Sequence, residues 1–289
     1  MLRRILVATA LVCCAASAEA AVRTKVIEYR QGDAVLEGYL AWDDAVTGKR
    51  PGILVVHEWT GLGPYVKRRA EKLAKLGYVA FAADIYGKGI RPSNPAEAGK
   101  VAAIYKNDRP LMRARARAGL DVLKSQRLAD PNRLAAIGYC FGGTAVLELA
   151  RDGADLRGAV SFHGGLATPR PEDAKNIKAK VLAMHGADDP FVKADEVAAF
   201  QQEMRAARVE GLMPSSCAAP LGPETLPLVC LRAFIMASRS SRFSSSRVMS
   251  LAFAVPFAGG TMSGCTGEAG RSKVSGPSRH RMMARSIVF

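Results

Sequence analysis

The sequence predicts an α/β fold built on a mostly parallel sheet with helices on both faces. Continuous apolar runs such as GILVVHEW (52–59) and VAFAAD (79–84) are typical of strands buried in a parallel sheet. Segments with the apolar spacing of an amphipathic helix separate these runs. This alternation favours parallel strands joined by crossover helices, and it extends from residue 21 to about residue 210.

The predicted elements follow one another in a regular order. Two strand-like segments, VIEYR and VLEGYLAW, come before the run at 52–59. The helix that follows is expected to end near Gly77, because glycine is favoured just past a helix C-terminus. Residues 95–127 are rich in helix signals, with a break between Asn107 and Pro110. The rest reads as strand RLAAIGY, helix GGTAVLELA, strand LRGAVSFHG, strand AKVLAMHG and helix VKADEVAAFQQEMRAARV.

The first twenty residues have the pattern of a secretory signal peptide. Arg3 and Arg4 precede the apolar run ILVATALVCCAASA, which is too short to span a bilayer. Small residues at 16–18 and at 18–20 form two possible cleavage sites. We therefore expect export, to the periplasm or outside the cell, removal of the signal near residue 20, and no stable membrane insertion.

The charge distribution argues against a nucleic-acid partner. The whole chain has a formal net charge of +15, and residues 21–210 contain 30 basic and 23 acidic side chains. A nucleic-acid site would need clustered basic residues with aromatic residues between them, and the sequence has no such cluster. It also has no metal-ligand spacing and no phosphate-binding glycine loop, so we expect neither a metal nor a cofactor. The oligomeric state is left open.

Residues 211–289 differ in character from the segment before them. Serine becomes frequent, as in SRSSRFSSSR, and aspartate and tyrosine no longer occur. The sequence thus divides into a signal peptide (1–20), one α/β domain (21–210) and an atypical basic, serine-rich tail (211–289). One explanation is a low-complexity tail. The other is a shifted reading frame, which would leave the fold incomplete at its C-terminal end.

The segment GYCFGG (138–143) is the strongest chemical signal in the sequence. Cys140 has the G-x-C-x-G pattern between a predicted strand and a predicted helix. This context is typical of a nucleophile on a sharp turn, where the helix N-terminus favours a thiolate. The alternative is a small buried thiol with no chemical role. The strand–turn–helix context favours the nucleophile.

Four motifs in this order, HEWTGL, DIYGKG, GYCFGG and HGADDPFV, resemble the dienelactone hydrolase family of α/β-hydrolases. The resemblance covers about residues 25–208. It implies an α/β-hydrolase fold and a Cys-His-Asp triad. The implied reaction is attack of a thiolate on a small ester or lactone, followed by hydrolysis of the acyl-enzyme.

The resemblance also implies roles for individual residues. Cys140 is expected to be the nucleophile and Asp189 the triad acid, with the neighbouring Asp188 as the competing candidate. Glu58 matches the family glutamate that contacts the thiol and takes up its proton when substrate enters. Such a carboxylate would disfavour a permanent thiolate and thereby limit oxidation.

Three further residues are expected to bind substrate. The backbone N–H groups of Phe141 and Trp59 match the family's oxyanion hole. Lys88 stands where some members hold a substrate carboxylate with an arginine. A lysine keeps the charge but loses the bidentate geometry, so the preference for anionic substrates is weakened.

The triad histidine is the point at which this sequence departs from the family. It is expected after the acid, in a segment resembling G-x-x-H-S-F, and no such segment is present. His57 and His185 belong to family motifs without being the base, His163 is expected to be structural or to line the site, and nothing around His280 resembles the motif. The sequence therefore predicts an ester or lactone hydrolase with impaired catalysis. The alternative is a non-catalytic binding protein with the same fold.

Overall fold

The computed structural model describes residues 21–186, 189–216 and 286–288. Their strands form one sheet in the order β1-β2-β4-β3-β5-β6-β7-β8-β9. The strands are β1 (Val22–Gln31), β2 (Ala34–Asp43), β3 (Arg50–Val56), β4 (Val79–Ala83), β5 (Ala129–Tyr139), β6 (Gly158–Phe162), β7 (Lys180–Gly186), β8 (Gly211–Ser216) and β9 (Ser286–Val288).

The helices lie between the strands, as the alternation in the sequence predicts. They are α1 (Pro64–Lys75), α2 (Pro95–Asn107), α3 (Arg109–Ser125), α4 (Phe141–Arg151), a 3₁₀ helix (Pro171–Asn176) and α5 (Ala194–Ala206). The expected break after Asn107 is present. Asp108 ends α2 and caps α3, because its side chain accepts a hydrogen bond from the N–H of Leu111.

The centre of the sheet is parallel and its edges are antiparallel. Strands β4, β3, β5, β6, β7 and β8 pair in parallel, whereas β1 and β2 at one edge and β9 at the other pair antiparallel. The mostly parallel sheet predicted from the sequence is thus confirmed. In such a sheet the carboxyl ends of the strands meet at one edge, where sites usually form.

Buried residues on β3 alternate between the two faces of the sheet. Ile53 and Val55 pack in a cluster with Leu73 of α1, whereas Leu54 and Val56 belong to a second cluster with residues of α3 and α4. Successive side chains of a strand point to opposite faces, so a continuous apolar run packs against the helices on both sides of the sheet.

A buried network of ion pairs joins α3, α4, the 3₁₀ helix and α5. The guanidinium of Arg151, which is fully buried, lies 3.0 Å from a carboxylate oxygen of Glu148 and 2.8 Å from one of Glu203. Arg113 lies 2.7 Å from the other oxygen of Glu148 and 2.6 Å from Asp173. Each of these buried carboxylates therefore has a cationic partner.

The sheet continues past residue 210. Strand β8, six residues long, pairs in parallel with β7 and lies inside the segment that the sequence assigns to the tail. The predicted signal peptide, residues 1–20, and most of the predicted tail lie outside the described residues.

Over the described residues, each helix is too short or too polar to cross a bilayer.

Candidate active site

Cys140 sits on a strained turn between β5 and α4. Its backbone has φ 53° and ψ −117°, a conformation that is unusual for any residue other than glycine. Strained nucleophile turns of this kind project the side chain from the carboxyl end of the sheet. Helix α4 begins at Phe141, so the thiol lies at a helix N-terminus.

Glycines are needed at this turn because main-chain atoms of neighbouring segments approach each other closely there. A Cβ atom on Gly138 would lie 2.0 Å from the carbonyl oxygen of Gly142, and one on Gly142 would lie 2.3 Å from the carbonyl oxygen of Val56. No side chain fits at such distances. The two glycines of G-x-C-x-G are therefore required by close approach of the main chain.

The end of β6 brings His163 beside the turn. The N–H of Cys140 donates to the carbonyl of Phe162 at 2.8 Å, and the N–H of His163 donates to Met184 of β7 at 2.9 Å. The chain after β6 then touches α4, since a Cβ on Gly164 would lie 2.7 Å from the carbonyl carbon of Gly143. His163 itself has a left-handed backbone, with φ 57°.

His163 connects Asp189 to the surroundings of Cys140. Its Nδ1 atom lies 2.5 Å from a carboxylate oxygen of Asp189, and the imidazole is close enough to the thiol of Cys140 to shift the pKa of both groups. The other oxygen of Asp189 accepts from the N–H of Phe191 at 2.9 Å. The competing acid, Asp188, lies outside the described residues.

The pKa shifts within this chain favour a thiolate–imidazolium pair. Burial raises the pKa of Cys140, but the hydrogen bond and charge of His163 and the N–H of Phe141 outweigh it, so the pKa is lowered. The hydrogen bond to Cys140, together with Asp189, raises the pKa of His163 to about 9. Burial also opposes ionisation of Asp189, yet the Phe191 N–H and His163 hold its pKa below the ordinary value.

His57 orients the peptide that connects Glu58 and Trp59. Its Nδ1 atom lies 2.6 Å from the carbonyl oxygen of Glu58, and its Nε2 atom accepts from the N–H of Ile85 at 3.1 Å. Burial lowers the pKa of His57 to about 4, so the ring is neutral and Nδ1 is the donor. Because the C=O and N–H of a trans peptide point in opposite directions, anchoring this carbonyl also fixes the direction of the Trp59 N–H.

A profile of the dienelactone hydrolase family matches residues 36–212. The chain belongs to the dienelactone hydrolase family.

Named relatives and solved structures agree with this family. A putative carboxymethylenebutenolidase of Aquifex aeolicus is 30% identical over 177 residues, which cover 60% of this chain and 75% of the relative. A probable 2-oxo-3-(5-oxofuran-2-ylidene)propanoate lactonase of Bradyrhizobium sp is 30% identical over 170 residues, covering 55% and 68%. The crystal structure of a dienelactone hydrolase-like promiscuous phosphotriesterase from metagenomic libraries has a TM-score of 0.66 and 39% identity, covering 69% and 83%. By resemblance, this chain is a hydrolase of carboxylic esters or lactones.

The other dienelactone hydrolase positions predicted from the sequence have distinct surroundings. Burial raises the pKa of Glu58, and the charges of Arg69 and Arg68 oppose this shift in part. Lys88 forms an exposed ion pair with Glu28 of β1, which raises the pKa of the lysine. The described contacts of Lys88 therefore direct its charge toward β1.

Two groups shift the pKa of the thiol although the sequence does not identify them as doing so. Lys106 at the end of α2 contributes to lowering the pKa of Cys140, although no motif marks it. The sequence predicts a structural or site-lining role for His163, and the structure hydrogen-bonds its ring to Asp189 and its neighbour Phe162 to the main chain of Cys140. The available signal was its place at the end of a strand, but the sequence does not show that this strand lies between those of Cys140 and Asp189.

The remaining histidines are placed differently. His185 is nearly buried, and its Nδ1 atom lies 3.9 Å from Asp189. His280 lies outside the described residues. Across the described parts of the chain, no group of three or more His, Cys, Asp or Glu side chains is arranged to hold a metal ion.

Proposed function

We propose that the chain hydrolyses small carboxylic esters or lactones with Cys140 as the nucleophile. The observation that supports this proposal best is the position of the thiol on a strained turn at the N-terminus of α4. There burial raises the pKa of the thiol, but the influence of His163 and of the Phe141 N–H outweighs burial and lowers it. A buried structural cysteine would have its pKa raised instead.

The proposed first half-reaction is acylation of the thiol. The sulfur of Cys140 bonds to the carbonyl carbon, and the π electrons move to the carbonyl oxygen. The N–H groups of Phe141 and Trp59 are proposed to stabilise this oxyanion. Collapse of the intermediate expels the alcohol, or opens the ring of a lactone, and leaves a thioester.

Glu58 is proposed to take up the thiol proton when substrate enters. Its burial supports this role, because a carboxyl group with a raised pKa holds a proton more readily. Lys88 is proposed to attract substrates that carry a carboxylate. Its ion pair with Glu28 offsets part of this charge, so we expect only a weak preference for anionic substrates.

We further propose that turnover is slow compared with a complete family triad. The sequence has no segment resembling G-x-x-H-S-F, so no histidine occupies the family position. Loss of a triad member reduces the rate by orders of magnitude, with residual catalysis from substrate binding and the oxyanion hole. We expect hydrolysis of the thioester, and not its formation, to limit the rate.

The test is stoichiometric acylation by an activated ester. With p-nitrophenyl acetate we expect one equivalent of p-nitrophenol in a burst, followed by slow turnover, and an acetyl group on the peptide that contains Cys140. The matched control is C140A, in which both the burst and the acetyl group should be lost. Near-UV circular dichroism checks that C140A keeps the fold.

The competing function is a binding protein that uses the same fold without catalysis. It predicts that folded wild-type protein releases p-nitrophenol no faster than C140A. It also predicts that the Cys140 peptide remains unmodified. Either result, obtained on protein that passes the fold check, contradicts the hydrolase.

A further inference from the structure

We infer that His163 is the general base and general acid for Cys140, replacing a histidine that the sequence lacks in the family position. This inference rests on the proposed function, because it assigns a second catalytic residue to the same reaction. Nothing in the family motifs marks His163 for this role, and the argument comes from the geometry at the ends of β5, β6 and β7.

The main chain fixes His163 next to the nucleophile. The N–H of Cys140 bonds to the carbonyl of Phe162, the residue directly before His163. The N–H of His163 bonds in turn to Met184 of β7. Close backbone contact between Gly164 and Gly143 holds the following residues against the first turn of α4. His163 is therefore positioned by three elements and does not depend on a free loop.

The side-chain geometry suits a base that is oriented by an acid. Asp189 holds Nδ1 at 2.5 Å, so Nε2 is the ring nitrogen that remains free to exchange a proton with the thiol. Only 3% of the Asp189 side chain is exposed, whereas 53% of the His163 side chain is exposed. The acid is thus shielded while the imidazole remains open to water and substrate, as a triad requires.

The titratable groups around His163 come from several parts of the fold. Cys140 at the start of α4 and Asp189 after β7 contact His163 directly. Lys106 of α2 acts on the thiol, and His185 of β7 acts on Asp189. Lys106 and His185 thus act on the partners of His163 and leave its own position between an acid and a thiol unchanged.

In acylation, His163 moves one proton from the nucleophile to the leaving group. In this scheme Nε2 of His163, in place of Glu58, holds the thiol proton while the C–S bond forms and the oxyanion develops. When the C–O bond to the leaving oxygen breaks, Nε2 gives this proton to that oxygen. The products of this half-reaction are an alcohol, a thioester and a neutral imidazole.

In deacylation, the same nitrogen activates water. Nε2 takes a proton from a water molecule as the water oxygen bonds to the thioester carbon. The C–S bond then breaks, and the thiolate leaves beside the imidazolium that has formed. The sum of both steps converts one ester and one water into one acid and one alcohol. Cys140 and His163 return to their first state.

The first experiment measures the thiolate without any ester. Alkylation of Cys140 by iodoacetamide, followed by mass spectrometry of its peptide, gives the pH midpoint of the thiolate. In wild type this midpoint should lie below the ordinary cysteine value of about 8.5. In H163G it should move to higher pH, because the imidazolium no longer stabilises the thiolate. Glycine suits the left-handed backbone at this position.

H280Q serves as the matched control, because it changes the histidine of the tail. It should keep the wild-type midpoint. D189N reaches the thiol only through His163, so it should shift the midpoint in the same direction as H163G but by less. An unchanged midpoint in H163G, or a shift in H280Q alone, would overturn the inference.

The second experiment uses p-nitrophenyl acetate and added imidazole. Both acylation and deacylation should slow in H163G, by about 10²- to 10⁴-fold, the range for loss of a general base. Imidazole should restore part of the rate in H163G and none in C140A. If wild type and C140A do not differ in ester hydrolysis, the proposed function fails, and the alkylation midpoints still decide whether His163 controls the thiol. If C140A is inactive while H163G keeps the wild-type rate, only the role of His163 fails.

Discussion

His57 is the clearest case of a single buried side chain that controls a peptide in the site. Its neutral ring donates to the Glu58 carbonyl and accepts from the Ile85 N–H, so both ring nitrogens are used. The ring also stacks on Phe141, with centroids 5.8 Å apart. Through these contacts it connects both residues of the proposed oxyanion hole. We regard it as a positioning residue, since it touches no reacting atom.

Replacing His57 should therefore lower kcat more than it changes KM. In H57L the Glu58 carbonyl loses its donor and the Ile85 N–H loses its acceptor, so the Trp59 N–H is no longer directed. We expect a decrease of about 10-fold or more in the acylation rate, below the 10²- to 10³-fold loss of a whole oxyanion donor. Stopped-flow p-nitrophenol release measures it.

The conservative variant H57Q separates positioning from packing. Glutamine offers an N–H donor and a carbonyl acceptor, so it should recover part of the acylation rate that H57L loses. If folded H57L acylates at the wild-type rate, His57 does not position the oxyanion hole.

The sequence identifies residues whose role depends on neighbours in the chain, and it misses residues whose role depends on strands that are distant in the chain. Cys140 and the oxyanion position Phe141 belong to one short motif at a strand-to-helix junction, and that junction is visible in the sequence. His163 meets Asp189, 26 residues further on, only because β6 pairs with both β5 and β7. Hydrophobic periodicity indicates strands but does not give their order in a sheet.

Helix α4 is buried along its whole length, although it contains charged residues. All eleven of its residues, Phe141–Arg151, are buried, including Glu148 and Arg151. A buried ion is stable only when its partners neutralise it and satisfy its hydrogen bonds. The arginines at 113 and 151 do this for Glu148, and they join α4 to α3 and α5.

We expect R151M to destabilise the fold by about 3–5 kcal/mol, because Glu203 loses its cation and Glu148 keeps only one. The control is R117M on α3, whose pair with Asp152 is more than one third exposed and should change stability by about 1 kcal/mol or less. Urea unfolding followed by circular dichroism measures both. Equal free energies of unfolding for R151M and wild type would show that the network does not stabilise the fold.

Strand β8 continues the sheet beyond residue 210, where the sequence predicts that the α/β domain ends. The segment GLMPSS is short, contains a proline and has no apolar alternation, so its intrinsic preference for a strand is weak. It becomes a strand by pairing with β7. The strands in the middle of the sheet, in contrast, are continuous apolar runs, and the sequence predicts them without help from their neighbours.

For the molecule as a whole, we propose export with removal of residues 1–20. Strand β1 begins at Val22, so a cut after Ala20 leaves the sheet intact. When the precursor is expressed in a Gram-negative host, we expect mature protein in the periplasm that begins at Ala21, or at Glu19 if the upstream site is used. Intact mass and N-terminal sequencing distinguish the two.

A18W is the matched control, because Ala18 belongs to both small-residue sites. It should leave uncut precursor. Recovery of uncut wild-type chain from the cytoplasm alone would show that the first twenty residues are not an export signal.

The close contact between Gly138 and Gly142 sets the position of the nucleophile independently of which side chain stands at residue 140. Main-chain atoms alone set the turn, and the Cys140 side chain is not needed to build it. A nucleophilic atom other than sulfur could therefore occupy the same position. Serine or selenocysteine at position 140 would be presented to the same histidine and the same helix end. The main chain would thus present oxygen, sulfur or selenium in the same place. Comparing the three variants would show how much the identity of the nucleophilic atom contributes to the rate.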